Sequence, residues 1–187
     1  MPESSTVSPL AIAPPAGAGA GESRPAAFSA AAEAELHKLV EKYPEPGTRV
    51  LPTLHLAQRE FGWISEDVMR LVADRLAIAI SHVKSVVSFY TMLHSCPVGR
   101  HHVQVCFSLP CALRGAAAVY DAIRRKLGVD AGGVTPDGAF SLCKVECLAL
   151  CDHAPVAQVN DQDHVDLSEK RAIALLEEIR HADGVAR

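Results

Sequence analysis

The sequence contains no apolar run approaching the roughly 18 residues that a membrane span requires, so any membrane association must run through a partner. Basic charge is not in excess: 18 Lys and Arg against 22 Asp and Glu leave a formal net charge of −4. That removes a broad electrostatic drive toward nucleic acid. There is no Cys-x-x-Cys, which excludes a thioredoxin-type redox pair. No glycine-rich phosphate loop follows a candidate strand and no dinucleotide fingerprint is present, so the motifs give no sign of a nucleotide-cofactor site. The start, Met1-Pro2-Glu3-Ser4-Ser5, lacks the basic and apolar regions of a signal peptide. Arg24 is the only basic side chain before His37 and Lys38, which argues against a mitochondrial transit peptide. A reducing cytosol is therefore expected. There the six cysteines point to metal or redox chemistry rather than to three disulfides.

What the chain does have is an ordinary globular composition, nearly half apolar over 187 residues, enough for one large domain or two small ones. Residues 1–28 are mostly Ala, Pro, Gly and Ser without a periodic apolar face, and read as a disordered tail. From Ser29 a helical stripe begins, with Ala32, Leu36, Leu39, Val40 and Tyr43 on one face. Pro44 and Pro46-Gly47 break it. Val50, Leu54, Ala57 and Phe61 make the next stripe, and Gly62 stands where a helix C-terminus favours glycine. Ser65 and Ser81 are candidate N-caps for two further helices, carrying Val68, Leu71, Val72 and Leu76, then Val83, Val86, Val87 and Tyr90. Residues 29–99 are thus expected to form a small helical bundle ending at the turn Cys96-Pro97-Val98-Gly99.

The period changes after that turn. Val103 and Val105 alternate with Gln104 and Cys106 as in a half-buried strand, and Ala112, Ala116, Val119, Ile123 and Leu127 share a helix face ended by Gly128. Phe140–Val145 reads as a strand and Val156–Val165 as a hairpin. Ser168 caps a last helix with Ala172, Leu175, Leu176 and Ile179 inward. The order strand–helix–strand–strand–strand–helix describes a compact α/β domain over residues 100–187.

Four cysteines fall in two pairs, Cys106 with Cys111 (Cys-x4-Cys) and Cys147 with Cys151 (Cys-x3-Cys). Each pair lies at or just past a predicted strand end, where loops from neighbouring strands meet. A helix following Cys106 would turn its backbone N–H groups toward a negatively charged metal–thiolate site. Two loops giving two thiolates each suit a [2Fe–2S] rhombus, one pair per iron. Zinc prefers Cys-x2-Cys knuckles but tolerates these wider spacings. Spacing alone leaves both metals open, with a slight tilt to iron–sulfur.

The motifs around the cysteines add to this. Leu51-Pro52-Thr53-Leu54, Ala57-Gln58 with Gly62-Trp63, Ser88-Phe89-Tyr90 and Pro97-Val98-Gly99-Arg100 precede them. Val105 through Gly115, Asp137-Gly138-Ala139-Phe140, Val145-Glu146-Cys147-Leu148, Ala154-Pro155 and Val159-Asn160-Asp161 follow in order. Across about residues 35–180 the chain resembles the thioredoxin-like [2Fe–2S] subunit of respiratory complex I (NADH:quinone oxidoreductase). The resemblance implies an N-terminal helical bundle followed by a thioredoxin-like [2Fe–2S] ferredoxin domain. It implies one cluster bound by Cys106, Cys111, Cys147 and Cys151, with no catalytic residue on this chain. It also implies FMN and NADH on a partner subunit, other peripheral-arm iron–sulfur subunits as neighbours, and a cytoplasmic place peripheral to the inner membrane. Similar subunits serve NAD-dependent formate dehydrogenases and NAD-linked hydrogenases, so the host complex stays open, and a zinc-stabilised binding module is the alternative of another class. One departure stands out: the family's second loop reads Cys-Leu-Gly-x-Cys, whereas Ala149 replaces that glycine here. If the position needs φ > 0, alanine costs on the order of 1 kcal/mol.

Other features have a plainer reading beside the functional one. Cys143 and Cys96 are expected to be small apolar fillers rather than ligands. His101-His102 are expected to be a surface pair rather than Rieske-type ligands. His153 is a weaker candidate for a hydrogen bond to a sulfur. Arg114 and Lys144 are equally ordinary surface charges or stabilisers of a reduced cluster. Trp63, Phe89 and Tyr90 are expected in the bundle core.

Overall fold

The structure is a computed structural model that describes residues 26–130 and 132–185. The chain divides into two compact units with the boundary between Val98 and Gly99. Most of the expected tail, residues 1–25, lies outside the described residues.

The first unit holds four helices: α1 (Ala30–Lys42), α2 (Pro46–Phe61), α3 (Glu66–Leu76) and α4 (Ile80–Phe89). Their ends follow local chemistry. Ser29 Oγ accepts from the Ala32 N–H and Ser65 Oγ from the Val68 N–H, each satisfying one orphan donor of a first turn. Pro46 opens α2, where a missing N–H costs nothing, and Gly62 closes it in the left-handed region at φ 81°. Ser81 does not cap α4. That helix begins earlier, from Ala79, with no side-chain cap, because the Ile78 N–H returning to Ala73 O already fixes the preceding turn.

Leu36, Val50, Leu54, Ile64, Val72 and Val83 form the centre of one buried cluster. Phe28, expected in the tail, belongs to it and packs on Phe61 with ring centroids 5.7 Å apart. Gln58 ties the segment after α4 to α2: its amide donates to Met92 O at 2.8 Å and accepts the His94 N–H at 2.7 Å. Phe89 departs from expectation. It is 76% exposed and not core.

The second unit is a four-stranded sheet of β1 (His101–Cys106), β2 (Phe140–Val145), β3 (Ala157–Val159) and β4 (Gln162–His164). Its order is β2-β1-β3-β4, with β1 parallel to β2 and antiparallel to β3. The helices are α5 (Leu109–Leu113), α6 (Ala116–Leu127) and α7 (Glu169–Val185). Val103, Val105, Phe140 and Leu142 alternate inward along β1 and β2. They join Val119, Ile123 and Leu127 of α6 and Ala172 and Leu176 of α7 in a single core. Ser168 Oγ accepts the Arg171 N–H at the start of α7. The helix expected after Cys106 is two helices, because Gly115 at φ 95° separates the short α5 from α6.

Gly99 enters this unit against the start of β2. A Cβ there would stand 2.4 Å from the Phe140 carbonyl carbon and 2.6 Å from the Ser141 nitrogen, both backbone atoms that cannot step aside. Gly99→Ala is predicted to destabilise the chain by about 2–3 kcal/mol, measured as a shifted denaturant midpoint. Gly47→Ala, with open space around its position, is predicted to leave the midpoint unchanged or raise it slightly.

Candidate metal centre

β1 is flanked on both sides, by β2 in parallel and by β3 in antiparallel. Register pairs Cys106 with Val145, so the chain leaves both strands at the same edge. The Phe107 N–H bonds Val145 O at 2.9 Å and the Cys106 N–H bonds Val156 O at 3.0 Å. The segment between Val145 and Val156 must therefore cross from one side of β1 to the other, over the end that carries Cys106. Cys147 and Cys151 lie on this crossing segment, and Cys111 lies on α5, which begins just past β1. All four thiols thus gather at one end of one strand.

The two pairs differ in exposure. Cys106 and Cys111 are buried, 2% and 1% accessible, in a small cluster with Ala116, Ala154 and Val156, against which Leu148 and Leu150 pack. Cys147 and Cys151 are exposed, with sulfurs 3.8 Å apart. Among the described residues no three or more His, Cys, Asp or Glu side chains form a group able to hold a single metal ion. The thiols stand as two pairs.

Backbone donors point at the sulfurs. The Ala149 N–H reaches Cys147 Sγ at 3.3 Å. Burial, the largest influence, raises the Cys106 thiol, but N–H groups of Leu148 and Ser108 and the Cys111 thiol bring it below its ordinary value. Burial first, and its hydrogen bond to Cys106 second, push Cys111 up to about 11; the Val156 N–H works in the opposite sense. Cys151 is raised chiefly by its hydrogen bond to Cys147. Electrostatic influence also crosses between the pairs, from Cys151 to Cys111 and from Cys106 to Cys151. Four thiols in two pairs at one strand end, each pair met by N–H donors, fit a [2Fe–2S] cluster whose thiolates and sulfides carry net negative charge.

The neighbouring side chains mostly have structural partners. Arg114 Nε donates to Ala154 O at 2.9 Å, clamping α5 to the crossing segment. Lys144 Nζ lies over the Phe107 and Tyr120 rings at 4.5 and 4.7 Å. His153 Nδ1 pairs with Asp166 at 3.1 Å rather than with a sulfur. His101 bonds Asp183, and His102 bonds Ser141 and Cys143 at the far end of β1, away from the thiol pairs. Leu109 and Leu113, not singled out from the sequence, are 71% and 78% exposed on α5 beside buried Cys111. Their spacing, one helical turn apart with the cysteine between them, was the available signal.

Paired thiols held at a strand end of an α/β sheet suit an iron–sulfur centre. The family model for the thioredoxin-like [2Fe-2S] ferredoxin matches residues 36–180, and the chain belongs to this family. It is 39% identical over 151 residues to the second E-type subunit of NADH-quinone oxidoreductase from Rhizobium meliloti, covering 81% of this chain and 90% of that one. It is 40% identical over 148 residues to NADH-quinone oxidoreductase subunit 2 of Thermus thermophilus, covering 78% and 82%. Its fold is shared with an NAD+-reducing [NiFe]-hydrogenase crystallised in the air-oxidized state, at TM-score 0.62 and 21% identity. That match covers 71% of this chain and 23% of the longer hydrogenase chain.

Ala149, where the resemblance leads to glycine, does adopt φ 62°. Its N–H, on the preceding peptide plane, donates to Cys147 Sγ and would be kept by a glycine there. Ala149→Gly is predicted to raise stability by about 0.5–1 kcal/mol, the relieved Cβ strain exceeding the added unfolded-state entropy. A thermal midpoint that falls instead would show that the strain is absorbed elsewhere.

Proposed function

We propose that this chain is an electron-transfer subunit holding one [2Fe–2S] cluster, with Cys106 and Cys111 on one iron and Cys147 and Cys151 on the other. The observation that carries this reading is the crossing of residues 146–155 over the end of β1, which brings one buried and one exposed thiol pair together. When bound, the cluster accepts and releases one electron at low potential, on the order of −400 mV for all-cysteine ligation.

The protein's own part is to hold charge and control access. N–H groups of Ser108, Leu148, Ala149 and Val156 meet sulfur charge without a proton being moved. Leu148, Leu150 and Val156 keep water from the Cys106–Cys111 side. The exposed Cys147–Cys151 side is left for an electron donor to approach. Leu109 and Leu113 give that donor an apolar contact beside the thiols.

The host is proposed to be an NADH-oxidising, quinone-reducing complex, supported by relatives near 39% identity that are named as its subunits. FMN and NADH would then sit on a partner subunit, beside further iron–sulfur subunits, and the isolated chain would not turn over NADH. The hydrogenase likeness supports a second host of the same electron-transfer class, an NAD-linked hydrogenase. No described helix is long and apolar enough to cross a membrane. A cytoplasmic position, peripheral to the inner membrane through the complex, is part of the same proposal. So is the division into a helical bundle over 29–99 and a thioredoxin-like domain over 100–187.

Cys106→Ala, Cys111→Ala, Cys147→Ala and Cys151→Ala are each predicted to abolish or severely alter the visible absorption and the EPR signal of the reduced protein. Cys96→Ala and Cys143→Ala are predicted to leave both nearly unchanged. Cluster loss in either of the last two would overturn the ligand assignment.

A further inference from the structure

Cys143, expected as apolar filler, has a side-chain partner of a different kind. Its sulfur lies 3.4 Å from His102 Nε2. His102 Nδ1 lies 2.7 Å from Ser141 Oγ, and that oxygen accepts the Gly99 N–H at 2.9 Å. Strand register builds the group. β1 and β2 run parallel with His102 opposite Ser141 and Gln104 opposite Cys143. Ser141 and Cys143, two apart on one strand, share a face of β2, and one imidazole from β1 bridges them. Phe140 and Leu142, on the other face, are fully buried in the core. Ser141 is buried, whereas Cys143 and His102 are half-buried, so the thiol keeps a path to solvent.

A nucleophile, a base within hydrogen-bond reach and a third group that orients the base form the arrangement that activates a thiol. Ser141 Oγ has two lone pairs; one takes the Gly99 N–H and the other accepts Nδ1–H of a protonated His102. The remaining Nε2–H then faces the Cys143 thiolate. Every donor of the imidazolium has a partner.

We propose that Cys143, with His102 as its base, is a thiol modification site for low-molecular-weight disulfides of the glutathione disulfide class. The thiol proton passes to His102 Nε2 and the Cys143 sulfur attacks one sulfur of the reagent. A Cys143–sulfur bond forms, the reagent's S–S bond breaks, and the departing thiolate takes the proton from His102. Cys143 is oxidised, the released thiol is reduced, and no further reactant is needed. His102 stands near the start of β1 and Cys143 lies opposite Gln104 in its middle, and the site does not depend on what the paired thiols bind.

The full-length protein as purified is incubated with glutathione disulfide, and adducts are quantified at each cysteine by peptide mass spectrometry. An unstructured peptide of residues 139–146 is the reference. Cys143 in the folded chain is expected to react about tenfold faster than the peptide thiol at neutral pH. His102→Gln is expected to bring that rate down to the peptide's, with circular dichroism reporting that the variant is folded. A Cys143 rate in the unmodified chain no higher than the peptide's overturns the proposal without recourse to any variant. A folded His102→Gln protein reacting at the original rate overturns it as well.

Discussion

The placement of β1 between a parallel and an antiparallel neighbour governs the rest of the second unit. Because β2 and β3 lie on opposite sides of β1, the chain between them has to pass over a strand end. That end is the one where β1 stops at Cys106 and α5 starts. A crossing forced by hydrogen-bond register brings the four thiols into one region without any contact between them being required for folding. The hydrophobic core beneath, built from Val103, Val105, Phe140 and Leu142 against α6 and α7, fixes the register. A slip of one residue would turn those side chains outward and carry Cys106 to the wrong face.

Local backbone chemistry then completes the site. The crossing segment offers N–H groups to sulfurs, and it also carries a residue in a costly conformation, Ala149 in the left-handed region. Arg114 holds α5 to Ala154 and the small apolar cluster closes one side, so that the buried pair is rigidly seated and the exposed pair is reachable. The asymmetry suits a carrier that must shield its redox group from water and still meet another protein.

Much of this was legible in the chain because the relevant signals are local. Ser65, Ser168 and Gly62 could be read as caps since a single side chain, or its absence, decides each. The strand β1 showed in its alternation, and the thiol pairs in their spacing. What could not be read depends on partners distant in sequence. Ser81 looked like a cap, but the turn before it was already set by Ile78 bonding Ala73. Phe28 and Phe89 exchanged roles, one buried on Phe61 and the other exposed, because periodicity shows a stripe but not where the bundle ends. The contact between His102 and Cys143 exists only through cross-strand register, which neither residue's neighbours encode.

On the proposed reading, two thiol pairs at one strand end hold an iron–sulfur cluster rather than a structural zinc. Metal and acid-labile sulfide analysis of the anaerobically purified chain, taken with its visible spectrum, tests it most directly. A reddish-brown protein containing iron and sulfide in equal amounts and negligible zinc is expected. A colourless protein with one zinc per chain would contradict it.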